Sequence, residues 1–260
     1  MKRNKIKPKY LNKIKPSISL SSAKQQKQNK IENSLLYSLI SIGLILLLLL
    51  WSYIPMFFLA IFGINYTNFS ELGKIVYMLI SDLALLLILI KIYQKEIHHD
   101  FHNYFNHNLL ENLKQSMHYW AVGLFIMIIS NYIIAILTNG KLATNEESVR
   151  SLIQLAPWYM AFELIIYAPI SEELIFRKSI RKITNNRYFY VFLSGLIFGS
   201  LHVISSLNSP IDLLYLIPYC SLGFAFALLY SKTNNIFSTI TIHSMHNTLA
   251  LILYLISVKL

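Results

Sequence analysis

Apolar residues along this chain fall into seven long runs separated by polar or charged stretches: 35–62, 75–92, 119–137, 152–170, 188–203, 211–230 and 236–258. A helix needs about 20 apolar residues to cross roughly 30 Å of hydrocarbon. The pattern therefore predicts an all-α fold, a polytopic transmembrane helical bundle of about seven spans. The fifth run is short and holds Gly195 and Gly199, small residues that let neighbouring helix backbones approach closely.

Composition supports the same reading, because 55% hydrophobic and 13% charged residues is more apolar surface than a soluble core of this length needs. The single Cys220 excludes an internal disulfide. Charge is concentrated: ten of the 23 Lys and Arg precede Ser34. Residues 1–34 read as a basic cytoplasmic tail attracted to anionic headgroups, and no folded reading module accompanies it to make nucleic acid a partner. With that tail inside, 19 basic residues fall on the cytoplasmic side and 4 outside, the asymmetry expected of a multi-pass cell-membrane protein with a cytoplasmic N-terminus. Residues 35–150 then hold the first spans and a cytoplasmic loop, and 151–260 the core that carries the chemistry. In that loop His98, His99, Asp100, His102, His107 and His118 crowd together. Only His98 with His102 has a helical metal-pair spacing, and a partly amphipathic segment lying on the headgroups is the expectation.

Charged and polar side chains inside spans cost several kcal/mol and usually face a wet cavity or a partner. Asp82 and Glu163 stand alone in their runs and read as packing or hydration features. Three other groups are richer. After Pro169, which can swing a helix by removing a donor, come Glu172 and Glu173. Glu173 lies one turn before Arg177 and suits an ion pair, which leaves Glu172 free to act. His202 ends the fifth run, with Phe198 one turn before it. His243, His246 and Asn247 lie on one side of the last span. A glutamate, a histidine and a His/Asn pair on three spans supply what peptide hydrolysis needs: a base to take a proton from water and donors to hold the oxyanion.

The motifs Glu172-Glu173-x-x-x-Arg177, Phe198-x-x-x-His202 and His243-x-x-x-Asn247, in that order on successive helices, resemble those of the CAAX-processing and bacteriocin-processing (Abi, CPBP) intramembrane proteases, which include the type II prenyl-protein endopeptidases. The resemblance covers roughly 155–251. It implies an intramembrane endopeptidase in which Glu172 and His202 activate water, His243 and Asn247 form the oxyanion hole, and Glu173, Arg177 and Phe198 support them; His246 is an extra candidate. The family is often called metalloprotease. Zinc held by Glu172, His202 and His243 with an open position is one reading; a metal-independent glutamate mechanism, with no cofactor, is the preferred one. The expected substrate is a peptide or protein precursor, prenylated or secreted, met on the cytoplasmic side. The alternative is a non-catalytic membrane scaffold or regulator that binds a peptide or sensor protein through the same cavity.

Overall fold

The computed structural model describes residues 20–51, 53–106, 109–204, 207 and 209–259; residues 1–19 of the basic tail and His107 lie outside them. Among the described residues every element is helical. Helix α1 (Leu20–Leu50) begins inside the polar tail, where Ala, Lys and Gln are good helix formers and the apolar span behind them propagates the turn. The run 35–62 is two helices rather than one, because α2 (Tyr53–Ile61) follows a break at Trp51. Pro55 accounts for it, since a proline removes a donor and clashes with the carbonyl four residues earlier.

Ser70 caps α3 (Glu71–Ile92), its Oγ accepting from the Gly73 N–H at 3.1 Å. The histidine-rich loop folds as α4 (Gln94–Asn106) and leads to α5 (Leu109–Leu137). Rather than lying free on headgroups, α4 is docked: Asp100 is buried, pairs with Lys178 and accepts the Ile236 N–H at 3.1 Å. His98, His99 and His102 stay on the exposed face.

The run 152–170 is divided at Ala156 (φ −145°, ψ 69°), because the residue before Pro157 is pushed out of the helical region. An amphipathic helix, α6 (Thr144–Leu155), ends there. The span proper is a composite: α7 (Pro157–Phe162), a first π segment (Glu163–Tyr167), α8 (Ala168–Glu173) and a second π segment (Leu174–Ser179). It continues to Arg181, so Glu172 sits within the helix and not at its end. Helix α9 (Arg187–Ile204), a 3₁₀ turn (Pro210–Tyr215), α10 (Leu216–Thr233) and α11 (Ile236–Lys259) complete the bundle.

Among the described residues six helices are long and apolar enough to cross a membrane, and the composite helix is the remaining span of the seven-run pattern. The protein is a membrane protein built with large apolar side chains outward and charge inward. Phe62, Phe125 and Leu87 are 78%, 66% and 66% exposed, whereas Glu173 and Arg177 are fully enclosed. Helices α9 and α10 touch through glycine: a Cβ on Gly199 would lie 2.3 Å from the Cys220 Sγ and 2.8 Å from its backbone N, and one on Gly223 would lie 2.7 Å from the Gly195 carbonyl oxygen. That close approach holds the end of α9 against α10.

Candidate active site

The composite helix is the element on which the site is built, and Pro169 explains its shape. In an α-helix the N–H of residue 169 would serve the Ile165 carbonyl, and in a π turn it would serve Leu164; proline serves neither. Helix α11 supplies donors to both carbonyls. Ser244 Oγ donates to the Ile165 carbonyl at 2.6 Å, and Asn247 Nδ2 donates to the Leu164 carbonyl at 2.9 Å. The widened turn is thus pinned to the helix that carries His243 and Asn247. Asn247 keeps its second amide hydrogen, since an Asn NH₂ has two.

One turn of α8 later the carboxylates divide as their angular separation requires. Glu173 receives Arg177 in a two-pronged pair, Nε to Oε2 at 2.9 Å and Nη2 to Oε1 at 3.2 Å. Arg177 Nη1 donates to Ser194 Oγ at 2.9 Å, and that hydroxyl donates onward to the Phe176 carbonyl at 2.6 Å. Phe198 covers the guanidinium, its ring centroid 4.8 Å from Arg177 Cζ. A buried charge this well answered is rigid, because leaving any partner unpaired in a dry interior is costly.

Glu173 in turn orients His243. Its Oε1 lies 3.0 Å from His243 Nδ1, and a carboxylate paired with Arg177 can only accept, so Nδ1 carries the hydrogen. The opposite edge, Nε2, faces Glu172 Oε2 at 3.9 Å, beyond hydrogen-bond reach. Glu172 Oε2 is buried and has no hydrogen-bond partner. His202 reaches the same region through Phe198: the Phe198 ring lies 4.5 Å from the His202 ring and 6.0 Å from the His243 ring, centroid to centroid. His202 Nδ1 donates to the Phe198 carbonyl at 2.9 Å, which leaves Nε2 as the open edge of the ring. Glu172, His243 and Asn247 are therefore gathered where α8, the first π segment and α11 meet, with His202 joined to them across one aromatic ring.

His246 is turned elsewhere, its Nδ1 accepting from Trp120 Nε1 of α5 at 3.2 Å. Asp82 and Glu163, alone on the sequence, come close enough to interact, and Tyr159 donates to Asp82 Oδ2 at 2.8 Å. Zinc would need three ligands converging on one point. Among the described residues no three His, Cys, Asp or Glu side chains form such a group, so Glu172, His202 and His243 do not fit a zinc ion as they stand. Sequence reasoning gave no role to Ser194 or Ser244. Ser244 had a signal in Pro169, whose orphaned carbonyls require a donor from another helix.

Comparison with known proteins falls on the same stretch. Residues 154–249 match the family model described as type II CAAX prenyl endopeptidase Rce1-like. The chain is 33% identical over 152 residues to a Bacillus subtilis protein named "Putative membrane peptidase YdiL", the match taking in 54% of this chain and 57% of that one. It is 28% identical over 146 residues to the Lactococcus lactis "UPF0177 protein YxdF", covering 54% of this chain and 78% of that protein. No solved structure matches it. The matched stretch runs from the end of α6 to the Glu172, His202, His243 and Asn247 positions and little further, so the likeness to the Rce1-like CAAX prenyl endopeptidases is carried by residues 154–249.

Proposed function

We propose that this protein is an intramembrane endopeptidase that hydrolyses a peptide bond of a membrane-associated peptide or protein precursor. The observation that carries the reading is the buried, unpartnered Oε2 of Glu172 facing His243 Nε2. A buried acceptor left without a donor costs on the order of 1–3 kcal/mol or more, a strain that persists where an incoming group answers it. The similarity of residues 154–249 to CAAX prenyl endopeptidases and the likeness to a protein named as a membrane peptidase support the same class of reaction.

In this mechanism Glu172, aided by the open Nε2 edge of His202, takes a proton from water, and the resulting hydroxide attacks the scissile carbonyl carbon. The C–O bond forms as the carbonyl π pair moves to oxygen. Asn247, through its second amide hydrogen, and His243 Nε2 donate to that oxyanion. Nδ1 of His243 is already committed to Glu173, so only a hydrogen at Nε2 can be offered to the oxyanion. Collapse of the intermediate breaks the C–N bond, and the proton held by Glu172 passes to the leaving amine.

Glu172→Gln keeps the shape but cannot accept the proton, so turnover falls about 100-fold or more. Asn247→Ala removes an oxyanion donor and costs about 100- to 1,000-fold in the chemical step. Peptides released by cells carrying the wild type, either variant or no copy at all identify a substrate by mass spectrometry; purified proteins, checked for folding, are then assayed on it with and without a chelator. Wild-type turnover in Glu172→Gln sinks the assignment and favours a peptide-binding scaffold. Loss of wild-type activity on chelation, restored by zinc, keeps the enzyme and replaces the metal-free base.

A further inference from the structure

The imidazole of His202 is bordered by a second aromatic ring that no motif contains. Tyr219, in the first turn of α10, lies nearly parallel to it, with centroids 5.0 Å apart and planes 27° from each other. The placement follows from the close approach of α9 and α10 at Gly199, because Cys220, the residue met there, is the next along the chain. Tyr219 is itself held from outside the spans: Asn145 Nδ2, in the first turn of α6, donates to its hydroxyl at 3.3 Å. The far end of α6 is fastened too, with Gln154 Nε2 donating to Tyr254 Oη at 2.9 Å and Arg150 Cζ lying 5.2 Å from the Tyr254 ring centroid.

We propose that Tyr219 is a positioning residue for His202, its ring fixing the plane of the imidazole and Asn145 fixing the ring. This rests on the reading of His202 as part of the hydrolytic site. The Phe198 carbonyl sets which nitrogen carries the hydrogen, and Tyr219 sets where the free Nε2 lone pair points. With Tyr219 gone the imidazole keeps only Phe198 on its other side and can tilt about its Cβ–Cγ bond, and a displacement of about 1 Å at a reacting atom can cost on the order of 100-fold in rate. The loss belongs to the chemical step and not to substrate binding.

The test uses the full chain in detergent and an internally quenched, membrane-anchored peptide that the wild type cleaves, together with ¹⁵N-histidine spectra that read the ring tautomer of His202. Tyr219→Leu is expected to lower kcat about 10- to 100-fold with KM little changed and to broaden or split the His202 ring signals. Tyr219→Phe, which keeps the ring, restores most of the rate. Asn145→Ala should match Tyr219→Phe, and the double variant should be no worse than either, because both remove the same bond. If Tyr219→Leu does not accumulate, Tyr219→Met, of similar volume and without a ring, takes its place with the same expectation. Wild-type kcat with an unchanged His202 signal overturns the proposal, as does a rise in KM alone, or a loss in Tyr219→Phe as large as in Tyr219→Leu. Full activity in His202→Ala instead overturns the hydrolytic role of His202 itself, a result that the Tyr219 variants cannot produce.

Discussion

Arg177 is among the largest fully enclosed side chains in the protein, and each face of its guanidinium has an answer: Glu173 along one edge, Ser194 at Nη1 and Phe198 against the plane. Removing one answer strands the rest. Glu173→Gln leaves a buried cation without its counter-ion, a loss of about 3–5 kcal/mol. It should show as a clear drop in Tm and protein level, more than as a selective loss of turnover. Arg177→Lys should be almost as harmful despite keeping the charge, since an ammonium cannot supply the planar fork that meets Glu173 and Ser194 together. Thermal unfolding in detergent separates these from Glu172→Gln, which should melt close to the wild type. His246→Ala loses the bond from Trp120 and the edge-on ring contact beside it, and its turnover should stay near that of the wild type while stability falls by about 1 kcal/mol or more.

At the scale of elements, what hydropathy reads well is length, and what it blurs is interruption. The apolar runs located the membrane helices because burying against lipid asks only for apolar character. The breaks at Trp51 and Ala156 are written in Pro55 and Pro157 as local constraints, which a run of apolar residues passes over. The Glu173 to Arg177 pair was legible, being set by helical spacing alone. The meeting of Asp82 with Glu163 and Tyr159 was not, because nothing in sequence fixes which faces of α3 and the composite helix touch. Neither π segment was legible, since no residue type marks a π turn in the way that glycine or proline marks a break. Close approach of α9 to α10 was foreseeable from Gly195 and Gly199. Gly199→Leu should therefore reduce activity without removing a reactive group, because its side chain needs the space that Cys220 occupies. Normal activity at normal protein level would contradict that packing.

The molecule as a whole places its basic residues unevenly, and orientation is where that can be checked. In a Cys220→Ser background, a cysteine at Gln28 should be shielded from an impermeant thiol reagent in intact cells, whereas one at Ser257 should react; both positions are exposed in the fold. Labelling of Gln28→Cys without permeabilisation would reverse the topology. On the side assigned to the cytoplasm, α4 ties separate parts of the chain together: Asp100 holds Lys178 of the composite helix and the first N–H of α11, and Glu96 pairs with Lys182 at 2.9 Å. The helices that carry Glu172 and His243 are thereby fixed to each other outside the bilayer as well as within it.

The first π segment makes the composite helix a matter of phase. Each α-helical residue advances about 100° around the axis, and a π turn lodges one residue more than the α turn it replaces. Everything after Tyr167 is consequently rotated relative to a continuous α-helix through α7, and Glu172 owes its heading to that offset. Were the same residues to close ordinary α bonds the helix would still span the membrane, yet Glu172 would turn away from His243, as a key cut to the right length but turned in its lock; excising one residue from 163–167 would instead remove the need for the wide turn and leave Glu172 facing as it does. Pro169, which has no N–H to close an α bond at this turn while Ser244 and Asn247 claim the Ile165 and Leu164 carbonyls, is what keeps the straight helix from being the better one.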